Sequence, residues 1–337
     1  MSDRMPAWVV GRPAPIDEGP LRLVELPVPE PGPGEVLVRV LACGICRTDL
    51  HLCEGDLVPR RPGVAPGHQV VGDVVARGSA AERFEMGDRI GIAWLRSTCG
   101  SCEFCRRGAE NLCPRSTYTG WDADGGFARY TTVPQDFAYR LDADRAPEEL
   151  APFLCAGIIG YRALVRANLP PGGRLGLYGF GSSAHLTAQV AAAQGAEVFV
   201  LTRGEANQRL ARALGVAFVG AAQDVPPLPL DSAIVFAPAG ELVPLALRAL
   251  KPGGTVAVAG IYLSDVPALD YDRDLFRERD LRSVTANTRL DGEELFRLVA
   301  RLPIAAHTTV VPFERIDRAL SDLAHSRGSG SLVAAVS

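Results

Sequence analysis

The segment Leu175-Gly176-Leu177-Tyr178-Gly179-Phe180-Gly181-Ser182-Ser183-Ala184 decides the architecture of this chain. A short apolar run, Arg174–Tyr178, reads as a buried strand. It ends in G-x-G-x-x-A, and the small-residue stretch Ala184–Gln194 then reads as a helix. The first glycine permits a tight turn and the second lets a pyrophosphate approach the backbone. Alanine in the third place still allows close helix–strand packing. The helix N-terminus adds N–H groups for the phosphates. A strand before the turn and a helix after it make this a dinucleotide-binding fingerprint, with Gly179, Phe180, Gly181, Ser182 and Ser183 as cofactor contacts.

Strand and helix patterns keep alternating beyond this turn. Glu197–Leu201, Ser232–Phe236 and Thr255–Gly260 read as strands, and Glu205–Leu214 and Leu242–Leu250 as helices. Such alternation predicts βαβ units around a parallel sheet. Glu293–Ala300 and Arg315–Ala324 read as later amphipathic helices, and Ser331–Val336 as a final strand. The second strand ends Leu201-Thr202-Arg203, without the acid that usually holds a ribose 2′-hydroxyl. Thr202 is neutral and Arg203 suits a 2′-phosphate. This favours NADP(H) over NAD(H), though Glu205 stands close enough to complicate the choice.

Ahead of Ala146 the texture is different. Leu21–Leu26, Glu35–Val40, Gln69–Val75 and Asp88–Ala93 read as short strands broken by Pro- and Gly-rich turns. This predicts a compact β region with long functional loops. It also holds most of the cysteines. Cys99-x2-Cys102-x2-Cys105-x7-Cys113 has the spacing of a closed zinc site, whereas Cys46, His68 and Cys155 form a dispersed set of three. Four thiolates close a structural site; three protein ligands leave a position open for chemistry. Cys43 and Cys53 read as small core fillers.

The residues around Cys46 suit such chemistry. Thr48 can hydrogen-bond a reacting oxygen, and His51 can titrate near neutral pH at the end of a proton relay. Asp49 is suited to orient His68, and Arg47 to meet a cofactor pyrophosphate. A Lewis-acid metal beside them would polarise an alcohol or carbonyl oxygen while hydride is exchanged with a nicotinamide.

Size and charge narrow the remaining classes. At 337 residues the chain accommodates two ordinary domains. Its net charge of −4 gives no electrostatic reason to expect nucleic acid. Arg106, Arg107 and Arg115 give the cysteine lobe some positive charge, as a zinc knuckle would have, but no basic stripe accompanies them. The start, Met1–Val10, lacks a basic segment followed by an apolar one, and no apolar run approaches the ~18 residues that span a bilayer. A cytoplasmic protein with reduced thiols and no membrane partner is expected.

Together these motifs resemble a zinc-dependent alcohol dehydrogenase of the medium-chain dehydrogenase/reductase superfamily, over essentially the whole length. The resemblance implies an α/β chain: a GroES-like β catalytic domain plus a doubly wound Rossmann nucleotide-binding domain. It places the catalytic domain at 1–150 and 286–337 with a structural-zinc lobe at 95–116, and the nucleotide domain at 151–285. It makes Cys46, His68 and Cys155 the catalytic zinc ligands, Cys99, Cys102, Cys105 and Cys113 the structural ones, and Thr48 and His51 the proton relay. It implies two zinc ions per chain and a small alcohol or aldehyde substrate. It also implies a homodimer or homotetramer, with Val256–Gly260 and Leu281–Thr288 near the paired edge.

Cys155, where polyol dehydrogenases of the superfamily carry Glu, points to simple alcohols. Trp94-Leu95 resembles the pocket wall of yeast-type enzymes, and Trp121 and Phe127 are further candidates to line an apolar channel. Such a channel favours primary aliphatic or aromatic alcohols. An NADPH-linked aldehyde reductase of the cinnamyl type is the alternative. One departure from the family is Gln69, where Gly-His-Glu is usual.

Overall fold

A computed structural model describes residues 3–325, 327 and 330–336 of the chain. The first part is a β structure. β1 (Arg4–Val10) and β2 (Leu21–Pro27) form an antiparallel pair. β3 (Glu35–Ile45) leads into α1 (Arg47–Glu54). β4 (Gln69–Arg77), β5 (Arg89–Ile92), β6 (Leu95–Ser97), α2 (Glu103–Arg106) and β7 (Thr117–Tyr118) follow. β8 (Tyr130–Pro134), β9 (Ala138–Arg140) and α3 (Pro147–Leu150) complete this part. β3 is longer than its alternation suggests. A register shift between Val40 and Ala42 breaks the period of two, and the strand continues to Ile45. Pairing of β3 with β4 sets Gly44 opposite Gln69, which brings Cys46 and His68 together at one end of the sheet.

The second part is α/β. α4 (Ala156–Ala167), which the sequence patterns did not reveal, precedes β10 (Arg174–Tyr178) and α5 (Ser182–Ala193). β11 (Glu197–Leu201), α6 (Glu205–Ala213), β12 (Phe218–Gly220), β13 (Leu230–Val235), α7 (Leu242–Ala249), β14 (Leu250–Val258) and β15 (Asp280–Ser283) follow. All six strands run parallel in the order β12-β11-β10-β13-β14-β15. The order reverses beside β10, at the Gly-rich turn, as in doubly wound sheets that bind dinucleotides there. Val256–Val258 lies inside this sheet, between β13 and β15; the outer strand is β15. Leu177, Val200, Ala233, Ile234 and Val256 are completely buried, as strands covered on both faces require.

The chain then adds α8 (Arg289–Val299), β16 (Thr308–Pro312), α9 (Ile316–Ala324) and β17 (Ser331–Ala335). β17 pairs antiparallel with β3, Leu332 opposite Ile45, in a seven-stranded sheet. Its core holds Val36, Val38, Val40, Ile90, Ile92, Phe127 and Leu320. Each such side chain contributes roughly 1.5–3 kcal/mol through burial.

Two compact units result. One comprises Met1–Cys155, Ala286–Phe296 and Ala306–Ser337; the other comprises Ala156–Thr285 and Arg297–Ala305. The first boundary lies at Cys155, a few residues beyond the expected 150. Gly91 explains why: a Cβ there would meet Leu154 at 2.5 Å, so the glycine lets the 3-10 turn Ala151–Leu154 pack on β5 and keeps Cys155 with the first unit. Residues 297–305 join the second unit, where the Gln189 side chain exchanges hydrogen bonds of 2.9 and 3.1 Å with the Ala305 backbone. No single helix among the described residues is long and apolar enough to cross a membrane.

Candidate active site and metal centres

Cys46 is the N-cap of α1, with its sulfur in the place a serine hydroxyl usually takes. The Thr48 N–H donates to Cys46 Sγ at 3.3 Å, and the Asp49 carboxylate accepts the Cys46 N–H at 3.0 Å. The other Asp49 oxygen accepts the Gly67 N–H at 3.0 Å and the His68 Nδ1–H at 3.2 Å. One buried carboxylate thus ties the end of β3, the start of α1 and the turn before β4 into a single frame. The His68 Nε2 lies 3.4 Å from Cys46 Sγ. With Cys155, the three ligand atoms all fall within 4.8 Å of one another.

The electrostatics of this cluster favour positive charge at its centre. Burial alone would depress His68, but the Cys46 thiolate and the Asp49 carboxylate push it up to about 10. A hydrogen bond from Cys155 holds Cys46 well below the usual thiol range and pushes Cys155 up. Burial raises Asp49. Two thiols and an imidazole in a half-open cluster are a zinc donor set. In tetrahedral zinc, bond lengths of about 2.3 Å to sulfur and 2.05 Å to nitrogen imply about 3.6 Å between donors, close to the Cys46–His68 spacing. The residues fit the ion.

Cys99, Cys102, Cys105 and Cys113 form the second cluster, again within 4.8 Å. Their sulfurs approach at 3.9 Å (Cys99–Cys105) and 3.5 Å (Cys102–Cys105). About 3.8 Å is expected around one tetrahedral zinc. Backbone N–H groups point at the sulfurs: Cys102 to Cys99, Cys105 to Cys102, Arg115 to Cys113. Those of Ser101 and Cys102 lower Cys99 to about 5. Glu110, inside this lobe, accepts the Arg289 backbone N–H at 2.7 Å and its guanidinium at 2.8–3.1 Å. Nothing in the local sequence marks that pair, since its partners are far apart along the chain.

Thr48 and His51 lie one turn apart on α1, on neighbouring positions of one face. His51 Nδ1 is 2.9 Å from Asp56 Oδ2. Asp56 was missed; the acid five positions after a relay histidine was the available signal. Arg47 is exposed in the first turn of α1. Gln69 is 3% exposed at the start of β4.

In the second unit Gly179 has φ +90°, and a Cβ there would strike Ala237 at 2.9 Å, so the turn needs glycine. A Cβ on Gly181 would meet nothing within 4 Å, so only an incoming group would gain from its absence. No side chain caps α5. The turn fits a pyrophosphate. Phe180 and Ala184 are buried, leaving Ser182 and Ser183 half-buried beside the turn. Thr202 turns inward, its hydroxyl donating to the Arg203 carbonyl at 3.3 Å. Glu205 pairs with Arg209 at 3.2 Å, which leaves the exposed Arg203 without an acidic partner among the described residues.

Trp94 sits edge-on to the His68 ring, with 5.0 Å between centroids. Trp121 joins it, stacked at 5.8 Å. Phe127 does not: it is fully buried in the core of the seven-stranded sheet, where its backbone carbonyl accepts the Trp8 N–H. Leu95 is likewise core, at 2% exposed.

Residues 32–143 match the alcohol dehydrogenase GroES-like domain family, and residues 184–301 the zinc-binding dehydrogenase family. The chain is 58% identical to a probable alcohol dehydrogenase of Mycobacterium tuberculosis over 98% of this chain and 96% of that protein. It is 33% identical to an alcohol dehydrogenase of Geobacillus stearothermophilus over 93% and 95% of the two chains. A solved cinnamyl alcohol dehydrogenase of Sorghum bicolor superposes with a TM-score of 0.88 at 28% identity, covering 98% of this chain and 97% of that one. The chain belongs to the zinc-type medium-chain alcohol dehydrogenases. It is an NAD(P)-dependent oxidoreductase of alcohols and their carbonyl products.

Proposed function

We infer that the chain interconverts primary aliphatic or aromatic alcohols with their aldehydes, and that it prefers NADP(H). The observation that carries this reading is the pairing of a half-open Cys46–His68–Cys155 cluster with a separate four-sulfur one. The first would hold a catalytic zinc and the second a structural zinc. When bound, the zinc supplies a Lewis acid with an open position, and the nicotinamide supplies a hydride acceptor or donor.

The chain's own residues do the rest. Thr48 takes the alcohol's hydroxyl proton and passes it to His51, while the carbinol hydrogen leaves as hydride with its electron pair. Asp56 holds His51 by Nδ1 so that the ring keeps one orientation. Asp49 does the same for His68. Gly179, Gly181, Ser182 and Ser183 receive the pyrophosphate, Arg203 receives a 2′-phosphate, and Arg47 is a further cofactor-binding residue. The unpaired Arg203 also supports the second reading, an NADPH-linked aldehyde reductase of the cinnamyl type. In this assignment residues 1–150 with 286–337 serve catalysis, and 151–285 bind the nucleotide. The chain works in the cytoplasm, consistent with eight free cysteines. It assembles as a homodimer or homotetramer through the outer strand β15, where Leu281 is exposed.

Benzaldehyde reduction with NADPH and with NADH, on zinc-loaded protein, tests the reading. Arg203→Ala should lower kcat/KM for NADPH by about tenfold or more and leave NADH nearly unchanged. Equal use of both coenzymes by the wild type, unmoved by the substitution, would make Arg203 a bystander.

A further inference from the structure

A line of rings runs outward from the three-ligand cluster and ends under a cation. Trp94, edge-on to His68, stacks on Tyr118 at 4.9 Å and on Trp121 at 5.8 Å with an interplanar angle of 12°. The guanidinium carbon of Arg60 lies 3.7 Å from the Trp121 ring centroid. Arg60 is fixed in turn: Nη1 donates to both Asp122 carboxylate oxygens, at 2.9 and 3.1 Å. Asp122 also accepts the Tyr118 N–H at 2.8 Å, and Trp121 Nε1 donates to the Val58 carbonyl at 2.8 Å. The loop after α1 and the segment after β7 therefore clasp each other at several points, including Arg61 on Asp124 at 2.9 Å, and Arg60 is the one that also covers the Trp121 ring.

Tyr118 and Trp121 pack against the core of this unit on one side only. Trp94, Tyr118 and Trp121 are each only half-buried, unlike Phe127 and Phe153 in the same unit. They form a stack of rings that begins beside His68 and ends under Arg60. A short alkyl alcohol at the cluster would reach only the first of them. An aryl group would extend along the stack, and its fit would depend on how Trp121 is held. A guanidinium over an indole is attracted by the ring quadrupole, and the charge-assisted contact of its Nη1 with both Asp122 oxygens anchors it there.

We propose that Arg60 is a positioning residue for aromatic substrates: it holds Trp121 parallel to Trp94, so discrimination between aryl and short-chain alcohols depends on a charged side chain at the far end of the stack. This role rests on the alcohol dehydrogenase reading of the Cys46–His68–Cys155 cluster.

The test compares benzyl alcohol with ethanol, using full-length zinc-loaded protein and Arg60→Ala and Arg60→Lys. In Arg60→Ala, KM for benzyl alcohol should rise about three- to tenfold, while KM for ethanol and both kcat values stay within about twofold. Arg60→Lys keeps the charge but loses the planar group that lies on the indole, and should fall between wild type and Arg60→Ala. Tryptophan emission gives a readout independent of turnover, since the chain has only Trp8, Trp94 and Trp121. Trp8 is buried and donates to the Phe313 carbonyl, so a red shift in Arg60→Ala would report the stack. A KM change of equal size for both alcohols, or for neither, would overturn the proposal whatever the emission does. A zinc-loaded wild type that oxidises neither alcohol would overturn the activity reading and this role with it. In that case an emission shift would still establish the clasp as structural.

Discussion

Asp49 holds His68 by its Nδ1, at 3.2 Å, with both side chains almost wholly buried. That contact fixes the tautomer, leaving Nε2 to face Cys46. Asp49→Asn keeps the shape but removes the charge that steadies the imidazole. Zinc affinity at the three-ligand cluster should fall by about 10–100-fold, while the four-cysteine lobe keeps its ion. Elemental analysis after mild chelation would then find half the wild-type zinc. An unchanged zinc content would show that the backbone, not the carboxylate, positions the ring.

The four-cysteine lobe has little core of its own. α2 spans only Glu103–Arg106 and has no buried residue, so a zinc held by the four sulfurs would supply most of the lobe's folding free energy. Cys105→Ser should release one zinc and open Arg106–Arg107 to trypsin, with a lowered thermal midpoint. Cleavage resistance equal to wild type would show that Glu110–Arg289 alone secures the lobe.

Gln69 follows His68 directly and is nearly buried. Gln69→Glu would add a negative charge behind the cluster. Negative charge favours protonated forms nearby, so the pKa governing kcat/KM for alcohol oxidation should move upward. A pH–rate profile identical to wild type would refute this.

In the nucleotide unit Asp274 is fully buried and accepts from Arg273 and Arg248 at 2.9 Å each, and from the Asp270 N–H at 3.0 Å. Arg273 is the main cause of a carboxyl held well below the usual range, and Arg248 adds to it. A depressed folded pKa gives stability that is present above the unfolded value of about 3.9 and is lost as pH falls through the folded one. Asp274→Asn should cost roughly 1–3 kcal/mol at neutral pH and flatten the steepest part of the acid limb, below about pH 4. Acid unfolding followed by circular dichroism measures both; parallel limbs in the two proteins would deny Asp274 a role.

The sequence patterns made the parallel sheet legible because buried strands and the Gly179–Ala184 turn leave local marks. They made both cysteine clusters legible because thiols at metal spacing are rare by chance. What they missed was non-local. α4 was hidden because Ala156–Ala167 is buried on most sides and shows little polar alternation. The reach of β3 to Ile45 was hidden by a bulge. Phe127 looked like channel lining because composition cannot tell a core aromatic from a displayed one. Arg60 gave no signal at all, since Asp122 and Trp121 reach it only after the chain has folded back.

The pairing of β17 with the end of β3 carries a consequence for biogenesis. Cys46, His68 and Cys155 all leave the ribosome before the nucleotide unit is made, and β17 follows only after that unit. Until then the half of β3 that delivers Cys46 has an open edge, the kind of surface that invites wrong partners. The strand that carries Cys46 is therefore completed only by the last stretch of chain to be made, after the second unit has been synthesised.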